Sequence, residues 1–248
     1  YCINIWRCFS HWIGGMGVLV FILTLLPLAG GYHMNLMKAE SPGPSVGKLL
    51  PKVQATAKIL YKIYIALTVV LIILLLLGGI PLYDSLCAAF GTAGTGGFGI
   101  KPDSMGSYSL YIQIVITVFM ILFGVNFNVY FLLLTKKFSQ ALKSEEVRCY
   151  FIVIIASALM ITFNVRHLFN NVWEALQQSF FQVGSIITTT GYATTDYNQW
   201  PAVSRTILVL LTFCGACAGS TGGGIKISRL LLLAKSVRKE LHLYLHPN

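Results

Sequence analysis

The chain has 248 residues, 56% of them hydrophobic and 10% charged, with a formal net charge of +10. A soluble domain carries about 25% charged residues, so a mean hydropathy of +0.73 excludes an ordinary water-soluble globule. Nucleic-acid binding needs basic residues gathered on a solvated face, whereas here they fall in clusters between apolar runs.

Taken in chain order, the apolar runs predict five spans, since about 20 apolar residues cross a hydrocarbon core. They are 12–28, 59–80, 108–134, 149–163 and 203–233, the last interrupted. The connection after the first holds Lys38, Lys48, Lys52, Lys58 and Lys62, and the one after the third holds Lys136, Lys137, Lys143 and Arg148. The C-terminal end holds Lys226, Arg229, Lys235, Arg238 and Lys239, while the two intervening connections carry only Lys101, and Arg166 with Arg205. Lys and Arg are retained on the cytoplasmic side during insertion, so the three basic segments are predicted inside. The first, third and fifth spans then enter the cell and the second and fourth leave it.

Six cysteines give no disulfide framework, because most lie in or beside apolar spans where thiols pack as small hydrophobes. Cys214 and Cys217 form a CxxC, but its redox reading needs a soluble context. Tyr1 is not an initiator, and no charged leader precedes an apolar core, so the start is expected to lie inside a longer product.

Both outward connections follow one plan. A short semi-apolar helix, 83–90 in the first and 173–183 in the second, runs into a Gly/Thr-rich strand. Matching Thr95-Gly96 to Thr190-Gly191 gives a repeat offset of 95 residues and a unit of helix, re-entrant loop, helix. Repeats of this kind place a substrate path on their symmetry axis.

The strands suggest what that substrate is. A dehydrated K⁺ ion needs a cage of oxygens, which a filter supplies as backbone carbonyls of a T-x-G-Y-G-like strand. Thr189-Thr190-Gly191-Tyr192-Ala193 resembles that strand, and Gly94-Thr95-Gly96-Gly97-Phe98 is a degenerate counterpart. Two surface loops are the plainer alternative, but irregular backbone at membrane depth survives only when buried in protein or lining a wet cavity. The short helices would also aim their negative C-terminal ends at the axis, favouring cations.

The last span is broken at 213–226, where Gly215, Ala216, Gly219, Ser220, Thr221, Gly222, Gly223, Gly224 and Lys226 fall. A phosphate-binding loop fails on spacing, because Ile225 separates Gly224 from Lys226. A helix-packing face of small residues is the serious alternative; the preferred expectation is an unwound segment that obstructs the pore below the filter.

At this point a resemblance is specific. Trp12-Ile13-Gly14-Gly15-Met16-Gly17, Thr95-Gly96-Gly97-Phe98, Thr188-Thr189-Thr190-Gly191-Tyr192-Ala193-Thr194 and Ala218-Gly219-Ser220-Thr221-Gly222-Gly223-Gly224-Ile225-Lys226 resemble the TrkH/KtrB family of bacterial potassium-uptake proteins, across essentially the whole chain. The resemblance implies an all-α integral membrane protein of four helix–pore-loop–helix repeats around a central ion pathway, in a bacterial inner membrane. It also implies a homodimer, an intramembrane gating loop in the third repeat, and a cytoplasmic nucleotide-binding regulatory ring of the TrkA/KtrA type. Carried over by match, Gly94, Thr95, Gly96, Gly97, Thr189, Thr190, Gly191 and Tyr192 belong to filter strands holding K⁺ at backbone carbonyls. The segment from Gly215 to Lys226 corresponds to the gating loop. On this reading 1–58 closes a truncated first repeat, 59–148 is the second repeat with its cytoplasmic loop, and 149–248 is the third. The first filter strand and the fourth repeat are expected elsewhere in a longer product.

Other residues carry modest readings. Asn126 and Asn128 either line the pore or bond between helices. Asp84, Glu174 and Asp196 flank the outer mouth, and His11 and His167 have no ligand-spaced partners. No catalytic constellation is visible, so no enzyme activity and no cofactor are expected. A Na⁺-selective or Na⁺/K⁺-coupled transporter of the same architecture stays open, as does a broken-helix solute symporter; the latter leaves the paired strands unexplained.

Overall fold

In a computed structural model the described residues are 2–15, 17 and 53–245. They form ten α-helices and two short 3-10 turns, with no β-strand among them. The helices are α1 (Cys2–Gly15), α2 (Val53–Leu77), α3 (Leu82–Ala93), α4 (Leu110–Phe123), α5 (Phe127–Leu134), α6 (Phe138–Leu142), α7 (Glu145–Val165), α8 (Val172–Ile187), α9 (Ala202–Cys214) and α10 (Ile227–Leu245).

The helix order confirms a repeated unit. α3 packs on the long helix α2 before it and α8 on the long helix α7 before it, and each also packs on the closing helix of the preceding unit, α1 for α3 and α4 for α8. Two apolar cores follow the same division. One surrounds Tyr64, Leu71, Met120 and Phe123, and the other surrounds Tyr150, Ile154, Ile161 and Ile187. Large apolar side chains also face outward, among them Val69, Ile73 and Leu77 on α2 and Ile152, Leu159 and Phe163 on α7. An outer face of that kind is costly in water and ordinary against lipid.

Two expected spans change shape. The first helix covers 2–15 rather than beginning at Trp12; the rest of the 12–28 span, and Lys38, Lys48 and Lys52, lie outside the described residues apart from Gly17. The third is not one continuous helix, because α4 and α5 meet at a 91° bend. Gly124 caps α4, and the side chain of Asn126 accepts from the Asn128 N–H at 2.9 Å to start α5, so one apolar run contains a stop and a start. The carbonyls freed at the bend stay satisfied: Ile121 accepts from the Tyr150 hydroxyl at 3.0 Å and Leu122 from the Tyr130 hydroxyl at 2.7 Å. The fifth is broken as expected, with no helix between Cys214 and Ile227. The uninterrupted helices long and apolar enough to cross a membrane are Ala57–Leu77 and Glu145–Leu168 among the described residues.

Candidate functional site

The two Gly/Thr loops leave α3 and α8 with one backbone pattern. After α3, Gly96 N–H and Gly97 N–H both donate to the Gly91 carbonyl at 2.8 and 3.3 Å; after α8, Thr190 N–H and Gly191 N–H both donate to the Ser185 carbonyl at 2.9 and 3.2 Å. Thr95 and Thr189 take positive φ of 53° and 58°, and Gly97 and Gly191 take 63° and 87°. These equivalences set an offset of 94 residues, which corrects the 95 inferred from matching Thr-Gly pairs. Matching the Thr-Gly dipeptide misled because the shared unit is Thr-x-Gly-aromatic, Thr95-Gly96-Gly97-Phe98 against Thr189-Thr190-Gly191-Tyr192, with its Thr and Gly left-handed in both loops. Gly97 is therefore the counterpart of Gly191, and Phe98 of Tyr192. Gly96 pairs with Thr190, and Gly94 is the cap of α3.

A left-handed conformation costs a non-glycine residue about 1–2 kcal/mol, so Thr95 and Thr189 are held by their surroundings. Both turn their hydroxyls to the same segment. The Thr95 hydroxyl lies 2.8 Å from the Gly94 carbonyl and 3.1 Å from the Thr221 carbonyl, and the Thr189 hydroxyl accepts from Gly223 N–H at 2.7 Å.

The strands of neighbouring repeats meet closely. A Cβ on Gly97 would overlap the Thr190 carbonyl, whereas one on Gly191 would meet nothing within 4 Å. The Tyr192 side chain turns back into the protein at 1% exposure. Its hydroxyl donates to the Ala88 carbonyl of α3 at 3.3 Å, and its carbonyl accepts from the Ser185 hydroxyl at 2.6 Å. Phe98 makes the corresponding tie to α1, edge-on to His11 with ring centroids 4.9 Å apart.

The outer side is braced by residues that sequence reasoning passed over. Met105 N–H donates to the Ala193 carbonyl at 2.9 Å, and Ala193 N–H donates to the Ser104 hydroxyl at 3.2 Å. Buried Gln113 donates to the carbonyls of Met105, Gly106 and Tyr108 at 3.1, 3.2 and 3.2 Å. Its signal was an amide inside an otherwise apolar helix. At the mouth, Ser107 donates to Asp103, and this bond holds the Asp103 carboxyl below its ordinary range. Desolvation, followed by the nearby Asp84 carboxylate, pushes the Tyr108 phenol up to about 12.

The broken segment sits against both loops. Gly215, Gly219, Gly224 and Lys226 take positive φ, which a helix does not admit. Gly222 packs so closely on the loop that an added Cβ would lie 3.0 Å from the Thr188 carbonyl. The segment is also stitched to the α4–α5 bend: Cys217 N–H donates to the Gly124 carbonyl at 3.1 Å, Thr221 N–H to the Phe123 carbonyl at 3.3 Å, and Phe127 N–H to the Gly219 carbonyl at 3.0 Å. Ile227 N–H reaches the buried Ala216 carbonyl at 3.2 Å, Ser220 donates to the Cys217 carbonyl at 2.6 Å, and Lys226 donates to the Gly222 carbonyl. A cavity of about 430 Å³ lies between the loops and this segment, lined by Ser10, His11, Gly14, Gly15, Gly94, Thr95, Thr189, Thr221 and Gly223. The structure thus brings Thr95, Thr189, Thr221 and Gly223 together. Asn126 faces away, capping α5 and donating to Glu146 at 3.5 Å, which is the interhelical role.

A family model described as a cation transport protein, TrkH, matches residues 1–248. The Trk system potassium uptake protein TrkH of Salmonella typhimurium is 35% identical over 255 residues, covering 100% of this chain and 52% of its own. The Trk system potassium uptake protein TrkG of Escherichia coli is 32% identical over 246 residues, covering 98% and 51%. The crystal structure of the potassium transporter TrkH from Vibrio parahaemolyticus superposes with a TM-score of 0.81 at 31% identity, covering 99% of this chain and 51% of that one. The chain spans about half the length of the curated relatives it matches.

Proposed function

Because the chain belongs to the TrkH family of cation transport proteins, we propose that it contributes two strands of a potassium filter, and the obstruction beneath it, to a bacterial uptake system. One observation carries this reading: two loops 94 residues apart share their left-handed positions and hydrogen bonds, and both direct a threonine hydroxyl at one glycine-rich segment. Carbonyl oxygens of Thr95 to Gly97 and Thr189 to Tyr192 are the ligands proposed for dehydrated K⁺. α3 and α8 end at these loops, so their C-terminal dipoles add negative potential where a cation would pass. The segment from Gly215 to Lys226 is proposed to obstruct the path on the inner side.

The remainder of the reading follows the family resemblance given by the sequence motifs. Residues 1–58, 59–148 and 149–248 are the end of one repeat and two whole ones, in a full-length pore that adds the first filter strand and a fourth repeat. That product is a multi-pass protein of the bacterial inner membrane, working as a homodimer on a cytoplasmic nucleotide-binding ring. Gly97 and Gly191 favour K⁺ over the Na⁺-selective alternative, since both strands keep a glycine at the left-handed position. The test is expression of the full-length protein in a bacterium deprived of its own K⁺ uptake. Growth at low K⁺ together with saturable rubidium uptake is the expected result. Na⁺ uptake without rubidium uptake would move the assignment to the Na⁺ alternative.

A further inference from the structure

Glu145 and Glu146 open α7, where acidic residues suit a helix N-terminus. That explains a carboxylate there but not the divergence of these two. Glu145 is exposed and pairs with Lys235 on α10. Glu146 is half-buried and turns to the broken segment, accepting from the Ala218 N–H at 2.6 Å. Its other oxygen accepts from the Asn126 amide at 3.5 Å, and Asn126 caps α5 at the 91° bend. One carboxylate therefore joins three elements: the start of α7, the bend, and the glycine-rich segment. The segment's other ties to the bend and to the two loops are neutral hydrogen bonds between backbone groups and hydroxyls. The bond to Glu146 is the charge-assisted one, and such bonds are about twice as strong as neutral ones.

We infer that Glu146 is a positioning residue for the gate, a latch that holds the 215–226 segment in its obstructing place through the Ala218 N–H. This rests on the reading of that segment as an obstruction. Releasing the carboxylate removes the strongest single tie without touching either filter loop, so the open fraction rises and ion preference stays. Glu145 and Lys235 make the neighbouring tie from α7 to α10, the helix leaving the gate, so a cytoplasmic partner that displaces α10 would load the same turn.

The test uses the full-length protein reconstituted in vesicles without its regulatory ring, reading rubidium flux and the K⁺ to Na⁺ flux ratio. Glu146→Ala is expected to raise resting flux roughly ten- to a hundredfold, the scale of one hydrogen bond to a charged group, with the ratio unchanged. Glu146→Gln keeps the shape and an oxygen acceptor, so it raises flux less, and it remains decisive if the alanine variant fails to fold. A general packing defect would lower flux instead. In a protein lacking 218–224, Glu146→Gln should add nothing. If that shortened protein conducts faster than wild type while both Glu146 variants do not, the latch is refuted and the obstruction stands. If the shortened protein conducts no faster, the obstruction fails and takes the latch with it.

Discussion

Gly97 and Gly191 share a backbone conformation but not a neighbourhood, and that separates two experiments. At Gly97 a Cβ meets the Thr190 carbonyl of the adjoining strand as well as left-handed strain. At Gly96 it meets two side-chain rings, His11 at 3.0 Å and Phe98 at 3.1 Å, and φ is not positive. Gly97→Ala should therefore lower the thermal unfolding midpoint of the full-length protein clearly more than Gly96→Ala, a comparison that checks the 94-residue register directly. Equal losses would favour the 95-residue alignment. Tyr192→Phe removes the hydroxyl that donates to Ala88 while leaving the ring in its pocket. It should cost about 1 kcal/mol of stability, the net worth of one hydrogen bond, and a chemical denaturation series in detergent would measure it.

The elements divide into those that hydropathy reveals and those it hides. The apolar runs at 59–80 and 149–163 became α2 and α7, each starting before its apolar run, because long basic side chains such as Lys58 in α2 and Arg148 in α7 can lay their stems along a helix. The break after Cys214 was legible from five glycines in 215–224, each costing a helix up to about 1 kcal/mol relative to Ala. The bend at 124–126 was not, since Gly124 and Asn126 lie in a run whose mean hydropathy still reads as one span. Nor was Glu146, whose meaning depends on Ala218, 72 residues away. Removing 218–224 from the full-length protein is predicted to raise K⁺ flux several-fold and to weaken dependence on the regulatory ring, with selectivity mostly intact; flux assays with and without the ring measure this.

For the whole molecule, the alternation of basic clusters sets an orientation that the helix order accommodates. A single cysteine at position 103 should be labelled by an impermeant reagent from outside intact cells, and one at 143 should not; the reverse pattern would invert the topology. The two loops were legible in composition and location but not in register, because the Thr-Gly dipeptide matches at 95 whereas the longer Thr-x-Gly-aromatic unit, the backbone dihedrals and the carbonyl partners agree on 94. The most direct measurement is the K⁺ to Na⁺ flux ratio of the full-length protein carrying Gly97→Ser, Gly191→Ser or Gly96→Ser. Added oxygens at the two left-handed positions should lower the ratio, most cleanly at Gly191 where space is open, and Gly96→Ser should leave it near wild type. An unchanged ratio in Gly191→Ser protein that folds and conducts would contradict the assignment of these loops as the filter.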